Sequence, residues 1–233
     1  MIDWHSHILP NMDDGSRNVS ESTTLLRMLA DQGVDTVVAT PHFYATAEAA
    51  EDFLQRRARC YESLTSAISS DFESPRILLG AEVKYYPGIS AREDLRDFCI
   101  EGTRLLLLEM PFSEWTEYTV RELNVLACSK GVTIVLAHIE RYLPFQRSDL
   151  WNRLRNNGIL MQMNASYFSG LGTRRKALRL LEDGFVHMIG TDCHNTTSRP
   201  PLMSRACVVI RKRFGENFIS QMHEYGHSLL VYK

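Results

Sequence analysis

Short apolar runs alternate with longer amphipathic stretches along this chain. Each apolar run is bounded by glycine, proline or polar residues, as buried strands are. The predicted strands span residues 2–7, 36–40, 76–83, 104–110, 132–138, 160–164 and 187–191. Helical periodicity predicts helices within 20–33, 47–69, 115–131, 173–184, 199–215 and 216–226. Ser20 is the predicted cap of the first helix, which ends at Gly33.

Regular alternation of strands and helices predicts a parallel β-sheet with helices packed against it. The sequence has about seven strands and no glycine-rich dinucleotide-binding fingerprint, which favours a barrel over an open sheet. A length of 233 residues fits one such domain. We therefore expect a single α/β domain over residues 1–233 with the architecture of a TIM-like (β/α) barrel.

Composition narrows the range of partners and compartments. The formal net charge is -2 and the pI is near 6.4, which argues against nucleic acid as the main partner. Five cysteines are scattered without a C-x-x-C pair, so neither a disulfide framework nor a cysteine zinc site is expected. The first residues lack a signal-peptide pattern, and no apolar run reaches membrane-spanning length. We expect a cytoplasmic protein that does not insert into a membrane.

Residues able to bind metal ions follow nearly every predicted strand. In a parallel barrel the carboxyl ends of the strands meet at one face, where active sites form. His5 and His7 are two residues apart, so a strand directs both imidazoles to the same side. The residues of this kind at the strand ends are His5, His7, His42, Glu82, Glu109, His138, Asp192 and His194, and Arg141 follows the fifth strand beside His138.

Imidazoles and carboxylates that converge in this way need a cation to avoid repulsion and unpaired polar atoms. Mixed histidine and carboxylate ligands suit Mn, Fe or Zn better than exclusive Mg or Ca sites, and so many donors predict more than one ion. Each motif alone has an ordinary alternative, since residues 13–15 could form a turn and Glu82 could form an ion pair. The joint pattern at one end of successive strands outweighs these alternatives.

Seven motifs, taken in order, resemble the polymerase-and-histidinol-phosphatase (PHP) superfamily. They are HxH, DDG, TPH, GAE, LLE-x-P, AH-x-ER and D-x-HN followed by RPP. The details HIERY and HNTTSRPP are similar to the bacterial tyrosine-protein phosphatases that serve capsular and exopolysaccharide systems. The resemblance covers roughly residues 1–215. It implies a distorted seven-stranded (β/α) barrel around two or three divalent metal ions, with Mn favoured and Fe, Zn or Mg as alternatives.

The resemblance also implies which residues bind the ions and the phosphate. The three implied ligand sets are His5, His7, Glu82 and Asp192; then Glu82, Glu109 and His138; then Asp14, His42 and His194. Asp13 is the alternative to Asp14, whose place directly before Gly15 fits the family better. Arg141 and Arg199 correspond to the two arginines with which this branch binds phosphate.

The implied reaction is the hydrolysis of phosphotyrosine. A water that bridges the metals becomes hydroxide near neutral pH and attacks phosphorus in line, while the two arginines neutralise charge on the phosphate oxygens. A phenol leaves more readily than an alkyl alcohol, so a strong general acid is dispensable. The family's role implies a partner, the tyrosine-rich tail of a bacterial tyrosine kinase that controls polysaccharide export.

Several alternatives stay open from the sequence. Another PHP phosphomonoesterase such as a histidinol-phosphate phosphatase, a PHP nuclease, or a non-catalytic metal-stabilised interaction module would share the motifs. Cys193 and Arg199 also have the Cys-x5-Arg spacing of cysteine phosphatases. No glycine lies between them and Asp192 would raise the thiol pKa, so we interpret Cys193 as a spacer.

Asp3 and a group of aromatic residues each have two possible roles. Asp3 could orient metal ligands or form an ordinary hydrogen bond inside the barrel. Aromatic residues that follow the motifs could flank a phosphotyrosine ring or simply pack loops over the barrel. They are Phe43, Tyr44, Phe112, Trp115, Tyr167 and Phe168.

Overall fold

The structure is a computed structural model and describes residues 1–69, 72–128 and 131–231. Its strands are Ile2–Ser6 (β1), Thr36–Ala39 (β2), His42–Phe43 (β3), Arg76–Leu79 (β4), Glu82–Lys84 (β5), Leu105–Glu109 (β6), Thr133–Leu136 (β7), Leu160–Asn164 (β8) and Met188–Gly190 (β9). Each of the seven predicted strand regions contains a strand. The short β3 lies outside the predicted regions, and the predicted strand 76–83 is divided into β4 and β5.

The α-helices in the described ranges lie between and after the strands. They are Val19–Ala30 (α1), Ala50–Ser66 (α2), Glu117–Cys128 (α3), Ser148–Asn156 (α4), Ala165–Ser169 (α5), Arg174–Glu182 (α6), Met203–Phe214 (α7) and Glu216–Leu230 (α8). The short α4 and α5 lie outside the predicted helices. The prediction of Ser20 as a cap is wrong, because the side chain of Asn18 accepts the capping hydrogen bond from Glu21 N at 2.9 Å.

The strands form two curled sheets in which every pairing is parallel. One sheet has the order β1-β2-β4 and the other the order β3-β5-β6-β7-β8-β9. On one side the chain passes directly from one sheet to the other, because β2 is followed at once by β3 and β4 is followed at once by β5. On the other side Asp192 N donates to His5 O at 2.7 Å and His7 N donates to Cys193 O at 2.9 Å. The closed seven-stranded barrel remains a prediction, because the pairing divides the strands into sets of three and six.

Two apolar clusters cover the two faces of the sheets. The larger cluster lies between the strands and the helices. The smaller one includes Leu105 and Leu107, which share a strand face with Glu109 because side chains alternate along β6. Leu229 and Leu230 of α8 pack against this smaller cluster. Among the described helices, none is long and apolar enough to cross a lipid bilayer.

A β-bulge in the first strand determines where its histidines point. The register pairs Ile2 with Thr36, Asp3 with Val37 and Ser6 with Ala39. The shift between Asp3 and Ser6 adds one residue to β1, which reverses the alternation of its side chains. Strict alternation would place His5 and His7 on the face of Asp3. The bulge instead turns both imidazoles toward Glu82, which both contact.

Candidate metal centre

All nine predicted metal ligands lie together, at or just after the carboxyl ends of β1, β2, β4, β6, β7 and β9. Strands β1, β3, β5 and β6 carry His5, His42, Glu82 and Glu109, and the loops after β1, β7 and β9 carry the other five. Seven of the nine are buried. The exceptions are His42, which is partly exposed, and Asp14, whose side chain is 65% exposed. The site is therefore a buried cluster that opens to solvent beside Asp14.

The first group of donors surrounds the two imidazoles of the HxH motif. His5 Nε2 and His7 Nε2 are 3.1 Å apart. Glu82 Oε2 lies 3.1 Å from the first and 3.3 Å from the second. Asp192 Oδ1 lies 3.7 and 3.5 Å from the same two nitrogens. These four residues are the predicted ligands of the first ion.

The second group of donors lies around the other oxygen of Glu82. His138 Nε2 is 2.7 Å from Glu82 Oε1 and 3.7 Å from Glu109 Oε1. The donor atoms of His42, Glu82 and Glu109 also lie within 4.8 Å of one another, so His42 borders this group. Glu82 can thus serve two groups, as its predicted role as a shared ligand requires.

The third group of donors distinguishes Asp14 from its neighbour Asp13. Asp14 Oδ1 lies 3.5 Å from His42 Nε2 and 3.4 Å from His194 Nε2. Asp13 Oδ2 instead bonds His7 Nδ1 at 2.6 Å and accepts from the backbone N–H of His42 at 2.9 Å. Asp13 therefore holds an imidazole from behind, as residues that orient metal ligands do, and Asp14 faces the donors.

These donors fit divalent cations. The buried ring nitrogen His194 Nε2, which faces Asp14, has no hydrogen-bond partner among the described residues, and an unpaired buried polar atom costs free energy. Burial and the charge of His7 lower the pKa of His194 to about 4, so its imidazole is neutral near pH 7. Mixed nitrogen and carboxylate donors match the preferences of Mn, Fe and Zn.

The imidazoles around the buried carboxylates favour the ionised form of these acids. Burial alone would raise the pKa of Glu82, but the charge of His5 and a hydrogen bond from His138 hold that pKa well below its usual value. In the same way, the charge of His5 and a hydrogen bond from His7 overcome burial and keep the pKa of Asp192 well below its usual value.

The two predicted phosphate-binding arginines converge on one oxygen of Asp192. Arg199 approaches Asp192 Oδ2 at 2.8 Å, and Arg141 contacts the same oxygen. The other oxygen, Oδ1, faces the imidazoles. Both arginine side chains are more than a third exposed, so they line the opening of the cluster. They lie where they could bind an anion that sits against the metal-ligand group.

The backbone at two of the predicted ligands adopts an unusual conformation. His138 has a φ of 31° and Asp192 a φ of 52°, in the left-handed region that residues with a Cβ seldom occupy. Strain of this kind persists only where the surroundings enforce it, and it concentrates at functional sites. Here it turns both side chains toward Glu82 and the imidazoles of β1.

Two amide residues of β8 support the cluster and were not among the predicted site residues. Gln162 Oε1 accepts from His138 N at 2.6 Å and lies 3.2 Å from His5 Nδ1. Gln162 Nε2 donates to Asn164 Oδ1 at 2.9 Å, and Asn164 Nδ2 donates to Asp192 Oδ2 at 2.9 Å. The signal in the sequence is two amides, two residues apart, in an otherwise apolar strand.

Two glycines allow the chain to pass close to the HxH segment. A Cβ on Gly190 would lie 2.5 Å from His5 Cβ and 2.8 Å from His5 N. A Cβ on Gly15 would lie 2.3 Å from His7 O. Such distances exclude any side chain, so both positions are glycine because the HxH segment passes directly beside them.

Cys193 lies away from the donor cluster. Its side chain is fully buried and belongs to the larger apolar cluster. Burial and the charge of Asp3 raise the pKa of this thiol to about 12, so it is not a thiolate near neutral pH. The carboxylate of Asp3 accepts hydrogen bonds from Thr191 N at 2.7 Å and Thr191 Oγ1 at 2.6 Å, and so ties β1 to the residue after β9.

Of the six aromatic residues near the motifs, four are buried or partly buried and two are exposed beside the donor cluster. Phe43, Trp115 and Phe168 are buried, and Tyr167 is partly buried. Tyr44 and Phe112 are 40% and 44% exposed. The ring of Tyr44 stacks on His42 with centroids 5.4 Å apart, and the ring of Phe112 lies 5.9 Å from His138. Two exposed aromatic rings therefore border the cluster next to different predicted ligands.

Comparison with known proteins gives consistent matches along the chain. A family model described as capsular polysaccharide synthesis, CpsB/CapC, matches residues 1–229. Tyrosine-protein phosphatase CpsB of Streptococcus pneumoniae is 33% identical over 236 residues, which cover 92% of this chain and 91% of the relative. Tyrosine-protein phosphatase CpsB of Streptococcus agalactiae is 30% identical over 243 residues, which cover 99% of this chain and 98% of the relative.

A solved structure agrees with these relatives. It comes from work on YwqE from Bacillus subtilis and CpsB from Streptococcus pneumoniae, described as unique metal-dependent tyrosine phosphatases. Its TM-score with this chain is 0.85 at 26% identity, and the match covers 100% of this chain and 96% of the solved one. The resemblance to metal-dependent tyrosine phosphatases of capsular systems is thereby confirmed. The chain belongs to the CpsB/CapC family of capsular polysaccharide synthesis proteins.

Proposed function

We propose that this protein is a metal-dependent phosphatase that hydrolyses phosphotyrosine in a protein substrate. Its proposed cofactors are two or three divalent ions, with Mn favoured, held by the nine donors of the candidate metal centre. When bound, the ions supply Lewis acidity and a bound water of lowered pKa. The relatives of this chain are named tyrosine-protein phosphatases, which supports the substrate class.

The position of Asp192 carries this proposal. One of its oxygens faces the imidazoles of His5 and His7, and the other contacts Arg141 and Arg199. A single carboxylate thus places two guanidinium groups next to the metal-ligand group. A phosphate ester needs this combination, because its transition state carries charge on several oxygens at once.

In the proposed reaction the residues of this chain bind and orient the substrate. Arg141 and Arg199 transfer their hydrogen bonds from Asp192 to the phosphate oxygens, and each planar guanidinium can bind two of them. Asp13 keeps His7 oriented and Gln162 keeps His5 oriented. The leaving phenol needs little help from a general acid, because it leaves more readily than an alkyl alcohol.

Tyr44 and Phe112 are the proposed flanks of the phosphotyrosine ring. Both are half-exposed and lie beside ligand histidines at the opening of the cluster. Aromatic rings stack favourably at centroid distances of roughly 4.5–7 Å. An aliphatic phosphate ester would gain no such contact, so this pair favours aryl substrates.

The proposal extends to the partner, the compartment and the architecture. We propose that the substrate is the tyrosine-rich tail of a bacterial tyrosine kinase in a capsular or exopolysaccharide system, and that the reaction takes place in the cytoplasm. All five cysteines are free thiols, which accords with a reducing compartment. Residues 1–233 would act as one PHP domain with a distorted seven-stranded barrel, supported by the bridge from Ser6 to Cys193 between the two sheets.

Metal removal followed by restoration tests the proposal. Protein stripped with a chelator should lose hydrolysis of p-nitrophenyl phosphate and of a phosphotyrosine peptide, and Mn²⁺ should restore both. Histidinol phosphate serves as the competing substrate, because another PHP phosphomonoesterase would prefer it. Full activity without metal, or faster turnover of histidinol phosphate, would contradict the proposed function. A restored protein that hydrolyses none of the three substrates would favour a non-catalytic module.

A further inference from the structure

A second group of metal-ligand side chains lies at the other end of the strands. Asp35 directly precedes β2, while His223 and His227 lie on α8, which packs against β1. His223 Nδ1 is 3.8 Å from Asp35 Oδ2, and His227 Nε2 is 3.8 Å from Asp35 Oδ1. One donor atom from each of the three residues lies within 4.8 Å of the other two.

The spacing on the helix suits a cation. His223 and His227 are four residues apart, so their rings project from one face of α8. The ring centroids are 4.4 Å apart with the planes at 76°. The segment HEYGH also matches the pattern H-E-x-x-H, in which two histidines on one helical face bind zinc.

Packing holds α8 in the position that brings these histidines to Asp35. Gly226, between the two histidines, lies so close to β1 that a Cβ there would be 3.1 Å from Ile2 Cδ1. The buried side of the helix is thereby fixed against the first strand. The opposing ligand comes from a different part of the chain, so the three donors do not meet by helical geometry alone.

We propose that Asp35, His223 and His227 form a binding site for one divalent cation of the zinc class, separate from the candidate metal centre. Ligands about 2.0–2.1 Å from a tetrahedral zinc lie roughly 3.3 Å from one another. Each histidine nitrogen lies 3.8 Å from its oxygen of Asp35 and would therefore have to move closer to it by only about 0.5 Å. All three side chains are between 38% and 47% exposed and can make this adjustment without repacking the core.

The existing partners of Asp35 leave room for the ion. Oδ1 accepts a hydrogen bond from Thr36 Oγ1 at 2.8 Å, and Oδ2 contacts the amino group of Met1. Each carboxylate oxygen has a second lone pair with which to bind a cation. The bound ion would join α8 to the segment before β2 and stabilise the folded protein by an amount that rises with the ratio of free ion to dissociation constant.

Zinc content and zinc affinity test this site. The variant carries both His223→Asn and His227→Asn, and the matched control is Gln221→Ala at an exposed position of the same helix. After equilibrium dialysis against zinc, elemental analysis should find one zinc ion fewer per chain in the double variant than in the wild type and the control. Zinc should also raise the unfolding temperature of the wild type more than that of the double variant.

The readouts separate this site from the phosphatase proposal. All three proteins should hydrolyse p-nitrophenyl phosphate equally with Mn²⁺, which checks that the double variant folds. Equal zinc content in all three would overturn the second site, whatever the phosphatase result. If the double variant does not fold, His227→Gln alone should weaken zinc affinity at least tenfold in competition with a chromophoric chelator. Unchanged affinity in that single variant would equally overturn the site.

Discussion

The two oxygens of the Asp192 carboxylate contact two different sets of side chains. Oδ1 faces the predicted metal ligands, whereas Oδ2 accepts from Asn164 and contacts both arginines. Its ionised form is maintained against the effect of burial. A neutral residue at this position would leave both guanidinium groups without their anion and the metal group without a donor, so both functions depend on this side chain.

Arg199 should contribute to catalysis without contributing to metal binding. We expect Arg199→Ala to lower kcat/KM by about 10²–10³-fold, the effect of removing one group that stabilises transition-state charge. Metal content should remain that of the wild type. The matched control is Arg147→Ala, since Arg147 has a side chain 85% exposed and pairs only with Asp149 in the described contacts. A loss of bound metal in Arg199→Ala would mean that the arginine supports the ligands instead.

Cys193 should be dispensable for the reaction. Cys193→Ser should retain most of the activity, because the thiol is buried in the apolar cluster and its pKa of about 12 keeps it protonated. Asp192→Ala should abolish activity. In Cys193→Ser, the buried serine hydroxyl should lower the free energy of unfolding by about 1–3 kcal/mol. Steady-state kinetics with elemental analysis would check both variants, and an inactive Cys193→Ser protein with a full set of metals would restore the cysteine-nucleophile mechanism.

At the scale of elements, the contact between β9 and β1 holds the donor cluster together. Gly190→Ala should push His5 away from Glu82, because the new Cβ would lie 2.5 Å from His5 Cβ. We expect a loss of about 1–3 kcal/mol in the free energy of unfolding, as in other overpacked sites, together with weaker metal binding. Gly172→Ala is the control, since a Cβ there meets no atom within 4 Å. Equal chelator resistance of the two variants would contradict the prediction.

The strands and most of the helices could be predicted because their signals are local. Each strand is an apolar run bounded by glycine, proline or polar residues, and the residues able to bind metal follow at its end. The bulge in β1 could not be predicted, since register depends on a partner strand that the local sequence does not specify. The role of Gln162 and Asn164 in the site could not be predicted for a different reason. Their amides hold ligands in place and are not themselves typical metal ligands.

At the scale of the molecule, bound metal should stabilise the fold as well as support catalysis. The donors come from strands in both sheets, so ions at the centre would join β1, β3, β5 and β6. Saturation at 100 times the dissociation constant adds about 2.7 kcal/mol per ion when the unfolded chain does not bind. Calorimetry should show a higher unfolding temperature with Mn²⁺ than after chelation. The same unfolding temperature in both conditions would contradict a metal-bridged centre.

The arrangement of the whole site followed from the sequence only with the family resemblance. The residues alone indicated a metal site at the strand ends, while the three ligand sets and the roles of Arg141 and Arg199 came from the resemblance. The structure brings these residues together, and their assignment to particular ions remains a prediction. The division of the strands into two sheets could not be predicted, because the breaks at 40–41 and 80–81 depend on how neighbouring segments pair.

The donors of the candidate metal centre come from distant parts of the chain. During synthesis, His5 and His7 leave the ribosome long before Asp192 and His194. Until β9 reaches β1, the two early imidazoles lack Asp192, one of the two carboxylates that face them. A nascent or truncated chain therefore offers an incomplete donor set and should hold metal weakly. In the cell, only chains that have been synthesised beyond β9 would then bind the metal ions stably. Unfinished chains would stay inactive.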